Sequence, residues 1–509
     1  MDMRLQHTTI MPESSSGICR SQITVEGDVT VPGSLRDTTT ILHASAAAVV
    51  ETAEPGQNRV NIGGRVTFCV LYAQGEAPRL DTIEATADFS HLCEMPGAMP
   101  RANVYAAAQV EHVEAYVQNS RMTMRAVVRL YARADVSDAM EVISGIAGDH
   151  VEVQQRQIRL CRTVGRGSGE VLLREEYSLP ADLSIRNTLG ARAKASFHDA
   201  AGGQGRIGLA GEVIIEALHA SDLPGKPLVI TRHTLPVSQS VEVAGEQGER
   251  LDGRIIIKDV AVASQDMGDG ERMMRAEVLL GLSAWMEKEE EITVLTDAYT
   301  TSGDDVHLTG KPVSFRTGVR RMQAAESGKA SLLLPEGAGP IRTMLAAFAT
   351  PVMSGFTQQG NRMIAEGVLE TTLVYMTGEG ALPASVRVDT PFKAAFAASA
   401  DPEDIVLLTV DHVEAVPLTS DRAELRYVLH AEIDGVQTTQ ATMVTEAVPA
   451  AAAETTKDIV LYFPQPGEGA WEIARRYRIP LEELRALNPE LTGEPKPGQG
   501  LVVWRRVVK

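Results

Sequence analysis

Three segments of the chain superpose on one another: RMTMRAVVRLYARA from Arg121, RMMRAEVLLGLSAW from Arg272 and RAELRYVLHAEID from Arg422, with Arg125, Arg275 and Arg426 at the same place in each. In the first, Met122, Met124, Ala126, Val128 and Leu130 point one way, and Arg121, Thr123, Arg125, Arg129 and Arg133 the other. In the third, Leu425, Tyr427, Leu429, Ala431 and Ile433 oppose Glu424, Arg426, His430, Glu432 and Asp434. A period of two over so many residues predicts a strand with one buried and one wet face. Upstream of each lies a second matching element: GGRVTFCVLY at Gly63, AGEVIIEALH at Ala210 and EGVLETTLVY at Glu366. Each is followed by a glycine-containing turn (AQGEAP, SDLPGKP, MTGEGALP) and another alternating run, the grammar of a hairpin. Pro32, Pro180 and Pro335 are expected to open a strand in each copy. Gly64, Gly211 and Gly367 recur at steps of about 150 residues, a domain's length, so the copies are tandem domains and not turns of a solenoid.

The predicted organisation is a flexible N-terminal segment at 1–20, β repeats at 21–157, 158–325 and 326–445, a linker at 446–457 and a small domain at 458–506. The body is expected to be mainly β, three tandem antiparallel β-sandwich-like domains. Residues 36–54 and 341–350 suit either strand or short helix. GRGSGE (165–170) lacks the Lys-Ser/Thr of a P-loop and reads as a flexible linker between the first two copies. EAVPAAAAETTKD (446–458) reads as a tether.

The 509 residues suffice for several cores, and 44% hydrophobic with 23% charged residues is ordinary globular composition. The net charge of −19 is unevenly placed: residues 457–509 hold nine Lys/Arg against seven Asp/Glu, leaving 39 against 60 for residues 1–456. An acidic body repels a phosphate backbone, so no nucleic-acid partner is expected. The opening residues lack the apolar core of a secretory signal and no run of 18 apolar residues occurs, so no transmembrane segment is expected and the chain should stay where it is made. Four cysteines (Cys19, Cys69, Cys93, Cys161) without metal-ligand spacing suit a reducing cytosol.

EHVE (111–114) and DHVE (411–414) place a His and a carboxylate two apart on a strand, but the middle copy reads KDVA (258–261) and two ligands are too few for zinc. A solvated strand face is the stronger reading. The methionines around Met122 and Met273 read as core filler, and EKEEE (287–291) as an exposed turn. No nucleophile–base or paired-carboxylate arrangement recurs, so no catalytic residue, metal or cofactor is expected and the chain is read as no enzyme.

Beyond the tether, IVLYF (459–463) predicts a strand, and Pro466-Gly467 a turn into a helix with Ala470, Ile473, Ala474 and Tyr477 on one face. A second helix begins at Pro480, carries Glu482 and Glu483 in its first turn, turns Leu481, Leu484 and Leu487 inward and stops at Asn488-Pro489. PKPGQGLVVW (495–504) supplies a turn and a closing strand. This βααβ pattern resembles the LysM family in Gly467, Trp471, Ile473-Ala474, Tyr477, Leu484, Asn488-Pro489, Pro497-Gly498 and Leu501, about a tenth of the chain. The resemblance implies a shallow groove for N-acetylglucosamine-containing glycans, between the loop entering the first helix and the loop after the second. The family's usual Gly-Asp-Thr/Ser-Leu is here Gly467-Glu468-Gly469-Ala470, which removes the groove hydroxyl, so a LysM fold used for protein contact stands beside the sugar reading.

Tandem acidic β repeats followed by one C-terminal LysM domain resemble the SipL-like spore coat morphogenetic proteins of clostridia, carried by VTFCVLYAQGE, TVGRGSGEVLL and the terminal domain. The resemblance implies a non-enzymatic scaffold in the mother-cell cytoplasm, at the forespore or spore coat surface, that binds the coat-basement morphogenetic ATPase through its LysM domain. The alternative is a glycan-binding protein of the spore cortex or cell wall. The expected LysM surface comprises Gly467, Glu468, Gly469, Arg475, Arg476, Arg478, Arg485 and Asn488, with the arginines favoured for a protein contact.

Overall fold

The computed structural model describes the chain except residues 1–2, 31–38, 75–78, 119–120, 204, 267–271, 302–303, 379–381, 452–454, 492, 497 and 509, and except the side chains of 181, 266, 455–458 and 504–508. Pro32, parts of two expected hairpin turns (75–78 and 379–381), the middle of the expected tether and Pro497 lie outside the described residues.

The protein is mainly β, divided among several small sheets. The first unit contains β1 (Arg4–Ile10), β2 (Glu13–Thr30), β3 (Thr39–Gly56), β4 (Arg59–Gln74), β5 (Arg79–Glu94), β6 (Asn103–Gln118), β7 (Arg121–Ser137) and β8 (Met140–Ala147). Its sheets run β3-β4-β5 and β2-β7-β6, and they share one core around Phe68, Met122, Met124 and Leu130. The second contains β9 (Val151–Leu179), β10 (Ile185–Gly203), β11 (Arg206–Ser221), β12 (Leu228–Glu242), β13 (Ala244–Gly245), β14 (Arg250–Asp266) and β15 (Arg272–Thr300). Its sheets run β10-β11-β12 and β13-β9-β15-β14. The third contains β16 (Asp305–Leu333), β17 (Thr343–Gln359), β18 (Arg362–Met376), β19 (Pro383–Phe396), β20 (Ile405–Pro417) and β21 (Arg422–Ala450), ordered β17-β18-β19 and β16-β21-β20. Apart from the short β13, the three strand orders are the same.

The glycines that align the copies have a steric cause. Each sits in the central strand of its first sheet, opposite a bulge between Val50 and Thr52, Phe197 and Asp199, or Met353 and Gly355. A Cβ at Gly64 would lie 2.2 Å from the Val49 carbonyl oxygen, at Gly211 2.2 Å from that of Ser196, and at Gly367 2.1 Å from that of Val352. The bulged partner strand leaves no room for a side chain. A second bulge recurs in β6, β14 and β20, at Glu111, Lys258 and Asp411, the first residues of EHVE, KDVA and DHVE.

The expected apolar face holds in burial for Leu425, Leu429, Ala431 and Ile433, with Tyr427 half-buried, and for Met122, Met124, Ala126, Val128 and Leu130 in the first, but Arg133 and Asp434, expected on the wet face, are buried because the units meet there. Residues 39–56 and 343–359 are strands. Several other expectations differ from the structure. Residues 4–10 and 13–20, expected to be flexible, are paired in β1 and β2. Residues 165–170, expected to link two domains, lie inside β9, paired along β15. Glycines at 165, 167 and 169 suggest a linker when only neighbours in sequence are considered. Gly167 is a steric necessity, because a Cβ there would lie 1.9 Å from the Glu242 carbonyl oxygen, whereas one at Gly165 would meet the movable end of Met286 at 2.5 Å and the Ala244 carbonyl oxygen only at 3.1 Å. Residues 287–291 are strand and not turn. Pro180 and Pro335 follow β9 and β16 and so close a strand instead of opening one.

In every unit the first and last strands continue past the two sheets as a two-stranded ribbon. These are β1 with β8, the start of β9 with the end of β15, and the start of β16 with the end of β21. The three ribbons pack together, Ile10, Val142, Ile158, Leu160, Val294, Phe315 and Met443 in one apolar layer and Ile143, Ile146, Leu295, Ala298, Val306, Val444 and Ala447 in the next. A separate layer away from the ribbons joins Leu42, Leu71, Leu189, Ala220, Ala346 and Val374.

Between these layers the units meet through buried charge. Arg133 donates to Asp434 at 2.6 Å. Arg316 pairs with Glu13 at 3.2 Å and donates to the Cys161 carbonyl at 3.1 Å. Arg254 donates to Glu432 at 2.8 Å and also to the Tyr105 hydroxyl. Arg321 joins Asp252, Asp434 and Glu287 while lying 4.5 Å from the Trp285 ring centroid. Burial works to raise the Asp434 carboxyl, but Arg133, Arg321 and Arg254 outweigh it and hold the group below the usual carboxylate range.

Two buried histidines lie outside this cluster. His43 stacks on Phe348 at 4.0 Å, and its pKa is pushed down to about 3 by burial and then by Arg192. His219, between the hydroxyls of Thr188 and Thr231, is pushed down to about 4 by burial.

Two outcomes are expected. Replacing Gly211 by Ala destabilises the protein by about 2 kcal/mol or more, whereas Ala at Gly169, which has open space around it, changes stability by less than about 0.5 kcal/mol, as denaturant unfolding would measure. Both histidines have folded pKa values below the 6.5 of the unfolded chain, so their contribution is fully present above pH 6.5 and is lost as pH falls toward 4. Calorimetry across that window should give a falling Tm, with a shallower fall in His43→Phe.

Candidate functional site

The last unit is made of β22 (Thr455–Tyr462), α1 (Ala470–Tyr477), α2 (Leu481–Leu487) and β23 (Leu501–Val508), with β22 antiparallel to β23. Ala470, Trp471, Ile473, Ala474, Ile479, Leu484, Leu491, Leu501 and Val503 are buried together, so the stripe expected on the first helix does face inward. Leu484 is fully buried in α2, while Leu481 and Leu487 are half-buried.

Asn488 is a brace inside this unit. Its amide nitrogen donates to the carbonyls of Leu484 at 2.9 Å and Val502 at 2.8 Å, and its oxygen accepts from the Val502 N–H at 2.7 Å. One side chain thus ends α2 and fastens it to β23, which explains an asparagine before Pro489.

The loop entering α1 is held by Glu468. Its carboxylate accepts from the Tyr462 hydroxyl and from the Gln465 N–H at 3.2 Å, and its other oxygen is ion-paired with Arg476 at 2.6 Å. Burial works to raise this carboxyl, and the two hydrogen bonds and the Arg476 charge outweigh it and hold it below the usual range. Arg476 also lies 5.6 Å from the Tyr462 ring centroid. Gly467 takes a left-handed φ of 84°, and Gly469 caps α1 with no side-chain hydrogen bond. A Cβ at Gly469 would lie 2.6 Å from Glu472 Oε2 and 2.9 Å from Glu494 Oε2. Two carboxylates therefore converge where a hydroxyl-bearing residue would project, and the cleft between the two loops is acidic.

The eight residues expected to form one surface are divided by the structure. Gly467, Glu468, Gly469 and Arg476 share the loop network, Arg485 is exposed on α2, and Asn488 is interior. Arg475 and Arg478 turn toward the second and third units. Arg475 donates to Asp297 Oδ2 at 2.7 Å, the Trp471 indole donates to the same oxygen at 2.8 Å, and Arg478 pairs with Asp305. Tyr299, near the end of β15, enters the core of the last unit, with its ring 5.0 Å from Trp471 and its hydroxyl donating to the Ile479 carbonyl at 2.8 Å. Asp297, Tyr299 and Asp305 were invisible as site residues because nothing in TDAYTTSGDD (296–305) distinguishes it from any other strand end and turn.

Residues 37–118 match the family model described as SipL, SPOCS domain.

That segment spans β3 to β6 of the first unit, and the match indicates a sporulation-related role. No curated protein and no solved structure matches the chain. Elsewhere in the SPOCS segment, Glu111 is buried against Arg129 at 2.6 Å, and His112 faces Glu370 of the third unit at 3.0 Å. Among the described residues no three His, Cys, Asp or Glu side chains are grouped as metal ligands, and no helix is long and apolar enough to cross a membrane. A cavity of about 1190 Å³ lies between the three units, bordered by Tyr105, Lys258, Trp285 and Glu432. Lys258 is paired with Glu170 and Glu432 with Arg254, so these two wall charges are answered by neighbours.

Asn488→Ala leaves three backbone groups without their partner and is expected to destabilise the last unit by about 2–3 kcal/mol, seen as faster amide exchange in β23 and unchanged exchange in β4.

Proposed function

We propose that this chain is a non-enzymatic scaffold of spore coat assembly, with sandwich-like β repeats and a LysM-like C-terminal unit that binds a protein, the coat-basement morphogenetic ATPase. The observation that carries this reading is the SPOCS match in a chain that ends in a βααβ unit. Protein contact is favoured over N-acetylglucosamine glycan by the acidic cleft at Gly469, where Glu472 and Glu494 replace the expected hydroxyl. Arg485, exposed on α2, supplies the kind of polar contact that protein interfaces favour, while the arginines on and after α1 are engaged within the chain. The location that follows is the mother-cell side of the forespore surface.

The test uses the full chain against the purified cognate ATPase and, separately, insoluble peptidoglycan. Wild type should bind the ATPase, and Arg485→Glu should weaken that binding about tenfold with no loss of Tm. Retention on peptidoglycan without ATPase binding would replace this function with glycan binding.

A further inference from the structure

Helix α1 presents Trp471, Arg475 and Arg478 toward the ribbon tips, and each polar group there meets a carboxylate. Asp297 Oδ2 accepts from the Trp471 indole at 2.8 Å and from Arg475 at 2.7 Å. Asp305 pairs with Arg478, and between the two carboxylates Tyr299 fills the unit's core with 2% exposure. The body therefore offers α1 an aromatic ring flanked by two acids, as a ligand would.

The backbone supplies an independent sign. Arg478 ends α1 with φ 51° and ψ 45°, the left-handed position where glycine or asparagine is favoured. The residue at that position is instead an arginine, with its guanidinium turned to Asp305. The contact is open to solvent along one edge, since Arg475 is 53% exposed against 17% for Asp297 and Asp305 35% against 22% for Arg478, so water and salt reach one partner of each pair.

We infer that Asp297, Tyr299 and Asp305 form a built-in occupant of the α1 surface, and that the protein partner carries the same chemistry, an aromatic side chain flanked by carboxylates, and displaces this tip to bind. The inference rests on the protein-binding function proposed above. In the free protein the tip seats the C-terminal unit and lowers its apparent affinity by the fraction of time it stays seated.

The experiment uses the full chain as wild type, as Asp297→Ala/Asp305→Ala, and as that double variant with Arg478→Gly, which relaxes the helix end while removing the cation. Without partner, amides of residues 470–479 should exchange about tenfold faster in the double variant than in wild type, and equal rates would overturn the seating. Against the purified coat ATPase, the double variant should bind about tenfold tighter, and adding Arg478→Gly should reverse the gain. Equal or weaker binding by the double variant overturns the competition while leaving the protein-binding function standing. A gain that survives Arg478→Gly overturns the assignment of the α1 face. Absence of ATPase binding by every variant rejects the function itself, whatever the exchange rates show.

Discussion

Arg133 and Asp434 come from equivalent strands of the first and third units, and their contact at the common centre is the interaction on which the assembly depends. Both side chains are almost fully buried, so each would carry a large desolvation cost without the other. Arg321, Arg254 and Arg316 extend the same logic outward until the second unit is included through Asp252 and the Cys161 carbonyl. Apolar layers above and below supply the burial energy, but they are made of interchangeable aliphatic groups. The charged layer permits only one mutual arrangement of the three units, because a shifted register would strand a buried guanidinium or carboxylate.

The last unit is joined to this assembly in a different way. Its own core is small, and a residue of the second unit, Tyr299, is part of it. The C-terminal unit is thus oriented by the ribbon tips and is not an independent bead on a tether. Arg485 on α2 remains exposed, while Trp471 and Arg475 of α1 make that contact.

Much of this was legible in the sequence, and the limits have physical causes. Period-two alternation identified the strands beginning at Arg121 and Arg422, because one face of each packs in its unit's core; that the far end of the other face, Arg133 and Asp434, would be buried between units was not readable from it. The recurring Gly64, Gly211 and Gly367 gave the repeat length, since a bulged neighbour excludes a Cβ at each. Gly167 was misleading for the same reason: close backbone approach and flexibility call for the same residue, and only the partner strand tells them apart. In the last unit the helical stripe through Trp471 and Ile473 was readable, but the division of the arginines was not. Whether Arg475 faces solvent or Asp297 is decided by residues 178 positions away, which no local pattern encodes.

The chain passes from one unit to the next only at the ribbon tips, between residues 147 and 151 and between 300 and 305, and it enters the last unit from the same end. There the Thr301 N–H is tied to the His150 carbonyl at 2.8 Å. All covalent continuity among the units is therefore gathered at one stem, while the layer of Leu42, Leu189 and Ala346 is held by side-chain contact alone. A load that draws the units apart at that layer meets no peptide bond, only an apolar seal and isolated hydrogen bonds such as those from the Thr82 and Ser385 hydroxyls to the Leu189 and Ile41 carbonyls. A load applied along the ribbons must shear long ladders of hydrogen bonds together. The body is mechanically anisotropic, compliant like petals across its axis and stiff like a stalk along it.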